Sequence, residues 1–331
     1  MTSSLITFDN LNATLKAAGE ETRLRILVLL ADAELTVSEL TEILRQSQPR
    51  ISRHLKHLVE AGLVERFREG AWAFFRRAEH GAAADVVRRL TAEIDPADPV
   101  IARDRDRLAG VRAARVKAAQ DYFRRHAAQW DRIRGLHAAD DAVEAEIRKL
   151  LNERPFRSLL DLGTGTGRIL ELFGPEIERG LGIDLSHDML AIARSRLDHA
   201  GCKNCSVRQG DIFDLSLPRD SFDVVIIHQV LHFLDDGGGA IREAARVLRP
   251  QGRLLVVDLA PHEFEFLRQE HAHRRLGFPP EAVTQWMEQA GLHGVTHHTV
   301  VPAPGSEGKI SVTIWVAYDP RIMIAGQREV A

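Results

Sequence analysis

Apolar positions between Leu15 and Leu30 recur at the three- and four-residue spacing of an amphipathic helix. A second short helix is predicted in VSELTEIL, with Ser38 placed to cap it. After the break at RQSQ comes a third, QPRISRHLKHLVEAG, opened by Ser47, tolerant of Pro49 in its first turn and ended by Gly62. Ile51, Leu55 and Leu58 share one face of that helix, so Arg50, Arg53, Lys56 and His57 point away from the core. LVERFREGAWAFFRRAE then gives two extended runs around Glu69 and Gly70, the pattern of a hairpin. From Arg157 onward the pattern changes. The apolar runs RSLLDL, GLGIDL, CSVRQGD, FDVVIIH and GRLLVVDL alternate with helical stretches, which predicts a mostly parallel α/β sheet.

Between these regions, His80 to about Lys117 is rich in Ala, Arg and Asp, and DPADP, with Pro96 and Pro99, interrupts any continuous helix. The stretch ARDRDRLAGVRAARVKAAQDYFRRHAAQWDRI carries both signs of charge at helical spacing, as a solvated helix face does. A chain of 331 residues is long enough for two cores. The expected organisation is a first domain over 1–80, a charged helical linker over 81–117, a second domain over 118–319 and a tail over 320–331.

The net charge of -3 argues against a protein that coats nucleic acid along its whole surface. Locally the balance is reversed: Arg45, Arg50, Arg53, Lys56, Arg66, Arg68, Arg76 and Arg77 are set against Glu60, Glu65 and Glu69 alone. MTSSLITFDNLNATLK lacks the basic-then-apolar order of a secretory signal, and no apolar run approaches the roughly 20 residues that cross a bilayer, so a cytoplasmic protein without membrane contact is expected. Cys202 and Cys205 are the only cysteines, too few for a disulfide framework or a multi-thiolate metal cluster.

The ordered elements LKAAGEETRLRILVLL, TVSELTEIL, SRHLKHLVEAGLVERFREG and FFRR resemble the ArsR-type winged helix-turn-helix repressors from Leu15 to Arg77. The resemblance implies a homodimer on double-stranded operator DNA, with the third helix in the major groove and the wing on the backbone. On that reading Gln48, Arg50, Ser52, Arg53, His54, Lys56 and His57 face the DNA and Arg68 reaches it from the wing. Many metal-sensing members carry cysteines where ELTVSEL stands here. Thr36 and Ser38 do not replace thiolates toward soft metals, so no metal site is expected.

LDLGTGTGR places Gly163, Gly165 and Gly167 in the loop after the first strand of the predicted sheet, at the edge where α/β sheets bind ligands. In the dinucleotide pattern G-x-G-x-x-G the third glycine would fall at Arg168. Asp184, ending the second strand, suits a ribose diol in either case. The full set, DLGTGTG, GIDLSHDMLAIAR, QGDIFDL, FDVVIIHQVLHFL, ARVLRPQGRLLVVDL and a terminal SVTIWVAYD, resembles the class I S-adenosylmethionine-dependent methyltransferases from Ala118 to Asp319. That implies a Rossmann-like, mostly parallel seven-stranded sheet that binds S-adenosylmethionine or S-adenosylhomocysteine. Asp161, Gly163, Thr164, Gly165 and Gly167 would line the methionine and ribose end, Asp184 with Leu185 the ribose, Met189 the adenine face, Asp211 and Ile212 the adenine amino edge, and His228 would close the site.

His228 and His232 at the end of the fourth strand are the candidate bases on the acceptor side, where methyl transfer needs a base only if the acceptor loses a proton. The strand lacks the Asn-Pro-Pro-Tyr ending of nucleobase amino methyltransferases. His262, Glu263, Glu270, His271 and His273 read as a solvated lid helix, and Cys202 and Cys205, near His199, as incidental thiols in a surface turn. Arsenite methyltransferases depend on well-separated cysteines, which this chain does not offer. Two modules in one chain suggest a DNA-binding regulator that senses S-adenosylmethionine or S-adenosylhomocysteine, with methionine or methyl-cycle genes as targets. The alternative is an active small-molecule methyltransferase that autoregulates its own synthesis.

Overall fold

The computed structural model describes residues 6–69, 72–78, 81–127, 140–302 and 309–322. The chain divides into two compact units, Met1–Lys117 and Ala118–Ala331.

In the first unit the helical pattern read from Leu15 is two helices, α1 (Phe8–Ala18) and α2 (Glu21–Asp32). The break falls at Gly19, where an added Cβ would lie 2.8 Å from Leu15 O, and at extended Glu20, whose side chain accepts from Arg23 N and caps α2. Strand β1 (Leu35–Thr36) is too short to leave a periodicity; it pairs with β3 and leads into α3 (Val37–Leu44). The cap of α3 is Thr36 and not Ser38. The Thr36 hydroxyl accepts from Glu39 N while Glu39 Oε2 accepts from Thr36 N at 2.8 Å, a reciprocal capping box.

Helix α4 (Gln48–Glu60) begins after Ser47 with Pro49 in its first turn, though the Ser47 side chain makes no capping bond. It ends at left-handed Gly62, whose N–H donates to Val59 O while Leu63 N donates to Leu58 O. Strands β2 (Val64–Glu69) and β3 (Trp72–Arg77) pair antiparallel as the hairpin, with its tip, residues 70–71, outside the described residues. Helices α5 (Ala82–Ala92) and α6 (Pro99–His126) flank the predicted proline break. The segment read as a linker also contributes to packing, since Val87, Leu108 and Val111 join the core formed by Ile26, Leu40, Ile51, Leu55 and Leu58. Buried Asp104 anchors α6 by accepting from Arg25 Nε at 2.6 Å and Nη2 at 2.8 Å.

The second unit takes in the end of α6 from Ala118, then α7 (Asp140–Asn152), β4 (Ser158–Leu162), α8 (Arg168–Phe173), β5 (Arg179–Asp184), α9 (His187–His199), β6 (Cys205–Gln209) and β7 (Phe222–His228). Then come α10 (Gly237–Val247), β8 (Leu248–Leu259), α11 (Phe266–Glu270), α12 (Pro280–Gln289), β9 (His293–Val300) and β10 (Val312–Tyr318). The sheet order is β6-β5-β4-β7-β8-β10-β9; β4 through β8 are parallel and β10 is antiparallel to both neighbours. This is the Rossmann-like α/β architecture, with the switch point beside β4. Each central strand feeds two cores by alternation: Leu159, Val224 and Ile226 enter one, Leu160, Leu162, Val225 and Ile227 the other. Of the predicted tail, residues 323–331 lie outside the described residues.

Candidate functional site

On α4, Gln48, Arg50, Ser52, Arg53, Lys56 and His57 are exposed while Ile51, Leu55 and Leu58 are buried, as the spacing predicts. His54 departs from the prediction. Three residues after Ile51, it lies on the core face at 6% exposure, with Nδ1 3.5 Å from Glu20 Oε2, so it cannot read DNA from there. Burial pulls the His54 imidazole down; Glu20 pulls it up, and the charges of Arg23, Arg50 and Arg53 lower it again, leaving it below the usual histidine range. Arg66 and Arg68 on β2 are exposed. Arg76 is held to Glu65 at 2.8 Å over the Phe67 ring, within the wing, and Arg77 donates to Thr91 Oγ1 on α5, so both cations have partners inside this unit.

In the second unit, the loop after β4 folds back on β5: Gly163 N and Thr164 N both donate to Ile183 O, at 2.7 and 3.0 Å. Gly163, Gly165 and Gly167 have φ of 71°, 52° and 81°, the left-handed region that glycine enters without a Cβ penalty. Thr164 is buried, its hydroxyl donating to Asp161 Oδ2 at 2.6 Å, and Asp161 is itself only 2% exposed. These two side chains shape the loop from beneath. Gly182 makes room for them, since a Cβ there would lie 2.6 Å from Thr164 Oγ1. From the other side Arg196 Nη1 donates to Thr166 Oγ1, and Arg168 grips Glu144 through two bonds of 2.8 and 2.7 Å.

Asp184, at the end of β5, accepts Gly165 N at Oδ2 and Ser186 N at Oδ1, both at 2.8 Å. Burial pushes its carboxyl up against the lowering effect of the backbone N–H groups of Ser186, Gly165 and Leu185. A carboxylate oxygen offers two lone-pair directions, so each retains one for an incoming hydroxyl. The pair of remaining acceptors suits a vicinal diol, and the glycine loop supplies a side-chain-free approach to it. The residues therefore fit a nucleoside of the S-adenosylmethionine type. Leu185 is 36% exposed beside Asp184, and Asp211 is exposed with Oδ1 accepting from Phe213 N, whereas Met189 and Ile212 are core residues at 2% and 6% exposure.

The two histidines differ. His228 is buried at the end of β7 with its Nε2 sealed from solvent. His232 sits in a short turn after β7, where its Nδ1 lies 2.7 Å from Oδ1 of Asp258, a fully buried carboxylate on β8. The sequence signal for Asp258 is a lone acid closing the apolar run GRLLVVD. The predicted lid helix is only Phe266–Glu270, with Leu267 in the core; His271 and His273 follow it and are partly buried. Cys202 and Cys205 do not sit in an open surface turn. Cys202 is buried in the core, and Cys205 packs against it with its thiol pushed up to about 11 by burial and by the neighbouring Cys202. No cluster of three or more His, Cys, Asp or Glu placed to hold a metal ion occurs among the described residues.

Residues 20–66 match the family described as bacterial regulatory protein, arsR family, and residues 160–256 the methyltransferase domain. The uncharacterized methyltransferase YcgJ of Bacillus subtilis is 36% identical over 100 residues, 30% of this chain and 40% of that protein. A demethylmenaquinone methyltransferase of Lactococcus lactis is 30% identical over 145 residues, covering 42% and 57%. An arsenite methyltransferase of Aquipseudomonas alcaligenes is 38% identical over 112 residues, covering 30% and 32%. This chain thus spans about half the length of such curated relatives, or less. Among solved structures, a SAM-dependent methyltransferase from Thermotoga maritima aligns with a TM-score of 0.50 at 22% identity, over 61% of this chain and 99% of that one. A chain from the complex of the Haloferax volcanii Trm112 methyltransferase activator with a methyltransferase aligns at 0.51 and 24% identity, over 62% and 99%. At such identities the likeness establishes the fold alone. No described helix is long and apolar enough to cross a membrane.

Proposed function

We propose that this chain, an arsR-family DNA-binding segment joined to a methyltransferase domain, is a homodimeric transcriptional regulator. Its second domain binds S-adenosylmethionine or S-adenosylhomocysteine and adjusts operator affinity. The observation that carries the reading is the coexistence of an outward basic face on α4 with the Asp184 carboxylate and its glycine loop. Residues 1–80 read DNA, 81–117 connect, 118–319 bind the nucleoside, 320–331 trail, and the protein works in the cytoplasm. Genes of the methionine or methyl cycle are the natural targets of such a regulator.

A ligand alters DNA affinity only by its differential affinity for the DNA-competent and incompetent forms, and a tenfold change corresponds to about 1.4 kcal/mol of coupling. The test is an operator titration repeated with each ligand. The two differ by one methyl group and one positive charge, so unequal shifts are expected. Asp184→Ala is expected to lose on the order of 2–4 kcal/mol of ligand affinity, and both shifts with it, because two charge-assisted hydrogen bonds disappear. Operator affinity within twofold at saturation by both ligands would overturn the regulatory reading.

The second reading is an active small-molecule methyltransferase with an autoregulatory DNA-binding segment. The relatives' names favour it, since each is called a methyltransferase. Arsenite is disfavoured as the acceptor, because Cys202 and Cys205 are packed in the core.

A further inference from the structure

We infer that His232, oriented by Asp258, is a proton acceptor for a planar hydroxyl compound bound beside the nucleoside site. The inference rests on the reading that this domain binds S-adenosylmethionine or S-adenosylhomocysteine.

Asp258 is fully buried and accepts from His232 Nδ1 at 2.7 Å, from Leu259 N at 2.7 Å and from His232 N at 3.4 Å. A carboxylate only accepts, so the imidazole proton resides on Nδ1 and the lone pair on Nε2. Nε2 has no hydrogen-bond partner among the described residues, on a side chain that is 4% exposed. The ring is held in place by Phe233, with centroids 4.1 Å apart, and by His273 at 4.3 Å. The backbone is pinned as well: Arg274 N and Arg275 N both donate to His232 O, at 2.9 and 3.0 Å. A buried acid that fixes the tautomer, a rigidly held ring and an unpaired Nε2 together make a preorganised base.

Position ties this base to the nucleoside loop. A Cβ on Gly163 would lie 2.3 Å from Val230 Cγ2, so the segment carrying His232 packs directly on the first glycine of the loop. Around the base, Phe233 meets Phe123 at 4.8 Å and His273 at 5.0 Å, so the side chains beside it are flat and mostly apolar. An amine with a free lone pair needs no base; a hydroxyl does, and the ring-lined walls favour a phenol or enol.

In the transfer step the hydroxyl proton passes to His232 Nε2 while the oxygen lone pair forms a bond to the methyl carbon of S-adenosylmethionine. The carbon–sulfur bond breaks with its electron pair going to sulfur. The products are a methyl ether, neutral S-adenosylhomocysteine and one proton, which the imidazolium beside Asp258 releases to water.

The probe is 4-nitrocatechol, whose absorbance reports its own ionisation, added to the full-length protein saturated with S-adenosylhomocysteine. At a pH where the free probe is mostly protonated, the bound probe is expected to show the phenolate band. His232→Asn is expected to reduce that band at least tenfold while S-adenosylhomocysteine affinity stays within twofold, which also reports on folding. Asp258→Asn, nearly isosteric, is expected to reduce it as well by releasing the tautomer. Methyl transfer from radiolabelled S-adenosylmethionine to the probe should follow the same order. If S-adenosylhomocysteine binds and the wild-type protein shows no band, or His232→Asn retains it, the inference is overturned. If S-adenosylhomocysteine does not bind, the nucleoside-binding reading beneath it falls too.

Discussion

The Glu20 carboxylate stands between the start of α2 and the inner face of α4, with Oε2 3.5 Å from His54 Nδ1 and Oε1 4.0 Å from Arg50 Nη2. Glu20 therefore serves both helices: it caps α2 through Arg23 N and offers a buried imidazole its nearest charge. His54 titrates below the ordinary histidine value because it is buried, so the folded chain binds fewer protons than the unfolded chain at mildly acidic pH. The sign follows. Stability is unaffected by His54 above the ordinary histidine range and falls as pH drops through it. Thermal unfolding of the full chain between pH 8 and pH 5 should thus lose more stability in the wild type than in His54→Leu. Parallel curves would show that His54 does not titrate as its burial requires.

The cations around α4 and the wing separate into available and internally paired ones. Arg53 is exposed on the outer face of α4, whereas Arg76 is bonded to Glu65 at 2.8 Å. Arg53→Ala should weaken operator binding by about 1–3 kcal/mol if it reads a base, or shallow the salt dependence if it meets phosphate. Arg76→Ala should change operator affinity less than Arg53→Ala at the same salt concentration. Measuring both by fluorescence anisotropy checks the orientation of the helix; equal losses would contradict it.

Periodicity made most of this architecture legible, because the buried faces of α4, β4 and β7 are written in residue spacing. Three kinds of feature escaped it. The edge strand β9, HGVTHHTV, is exposed along almost its whole length, so no alternation marks it. His54 reads as outward because it is a polar residue on a basic helix, yet it shares the buried face of Ile51 and Leu58, and its approach to Glu20, distant in sequence, is not written in that spacing. Asp258 and His232 are likewise 26 residues apart and meet only when β7 and β8 pair. The glycine loop was legible as a motif. The division of labour within it, with Thr164 bonded to Asp161 and Asp184 holding Gly165 N, depends on hydrogen bonds that no spacing encodes.

Gly163 combines a φ of 71° with direct contact to Val230, so Gly163→Ala strains the backbone and collides with a side chain. A loss of about 1–3 kcal/mol in stability is expected from such a site. Gly163→Ala combined with Val230→Ala should recover the steric part and leave the backbone part. Urea denaturation of the two variants, with S-adenosylhomocysteine calorimetry alongside, measures each share. A double variant no more stable than the single one would show that the contact is not the source of the strain.

Cys202 and Cys205 supply the remaining prediction. A Cβ on Gly174 would lie 2.6 Å from Cys202 Sγ, and one on Gly180 would lie 2.6 Å from Cys205 Sγ, so each thiol occupies space that a glycine leaves open. Burial also raises the Cys205 thiol from 9.0 to about 11, which lowers its thiolate fraction near neutral pH by roughly a hundredfold. In the folded protein a disulfide reagent should therefore label Cys205 far more slowly than a free thiol, and both cysteines should react promptly in urea. Rapid labelling without denaturant would contradict the packing. Replacing Cys202 by Ser puts a hydroxyl where the sulfur donates to Ala200 O at 3.9 Å. A destabilisation of about 1–3 kcal/mol is expected from a buried hydroxyl left without a good partner, against a smaller loss for Cys202→Ala. That ordering, read from urea midpoints, distinguishes a packed core thiol from an incidental one.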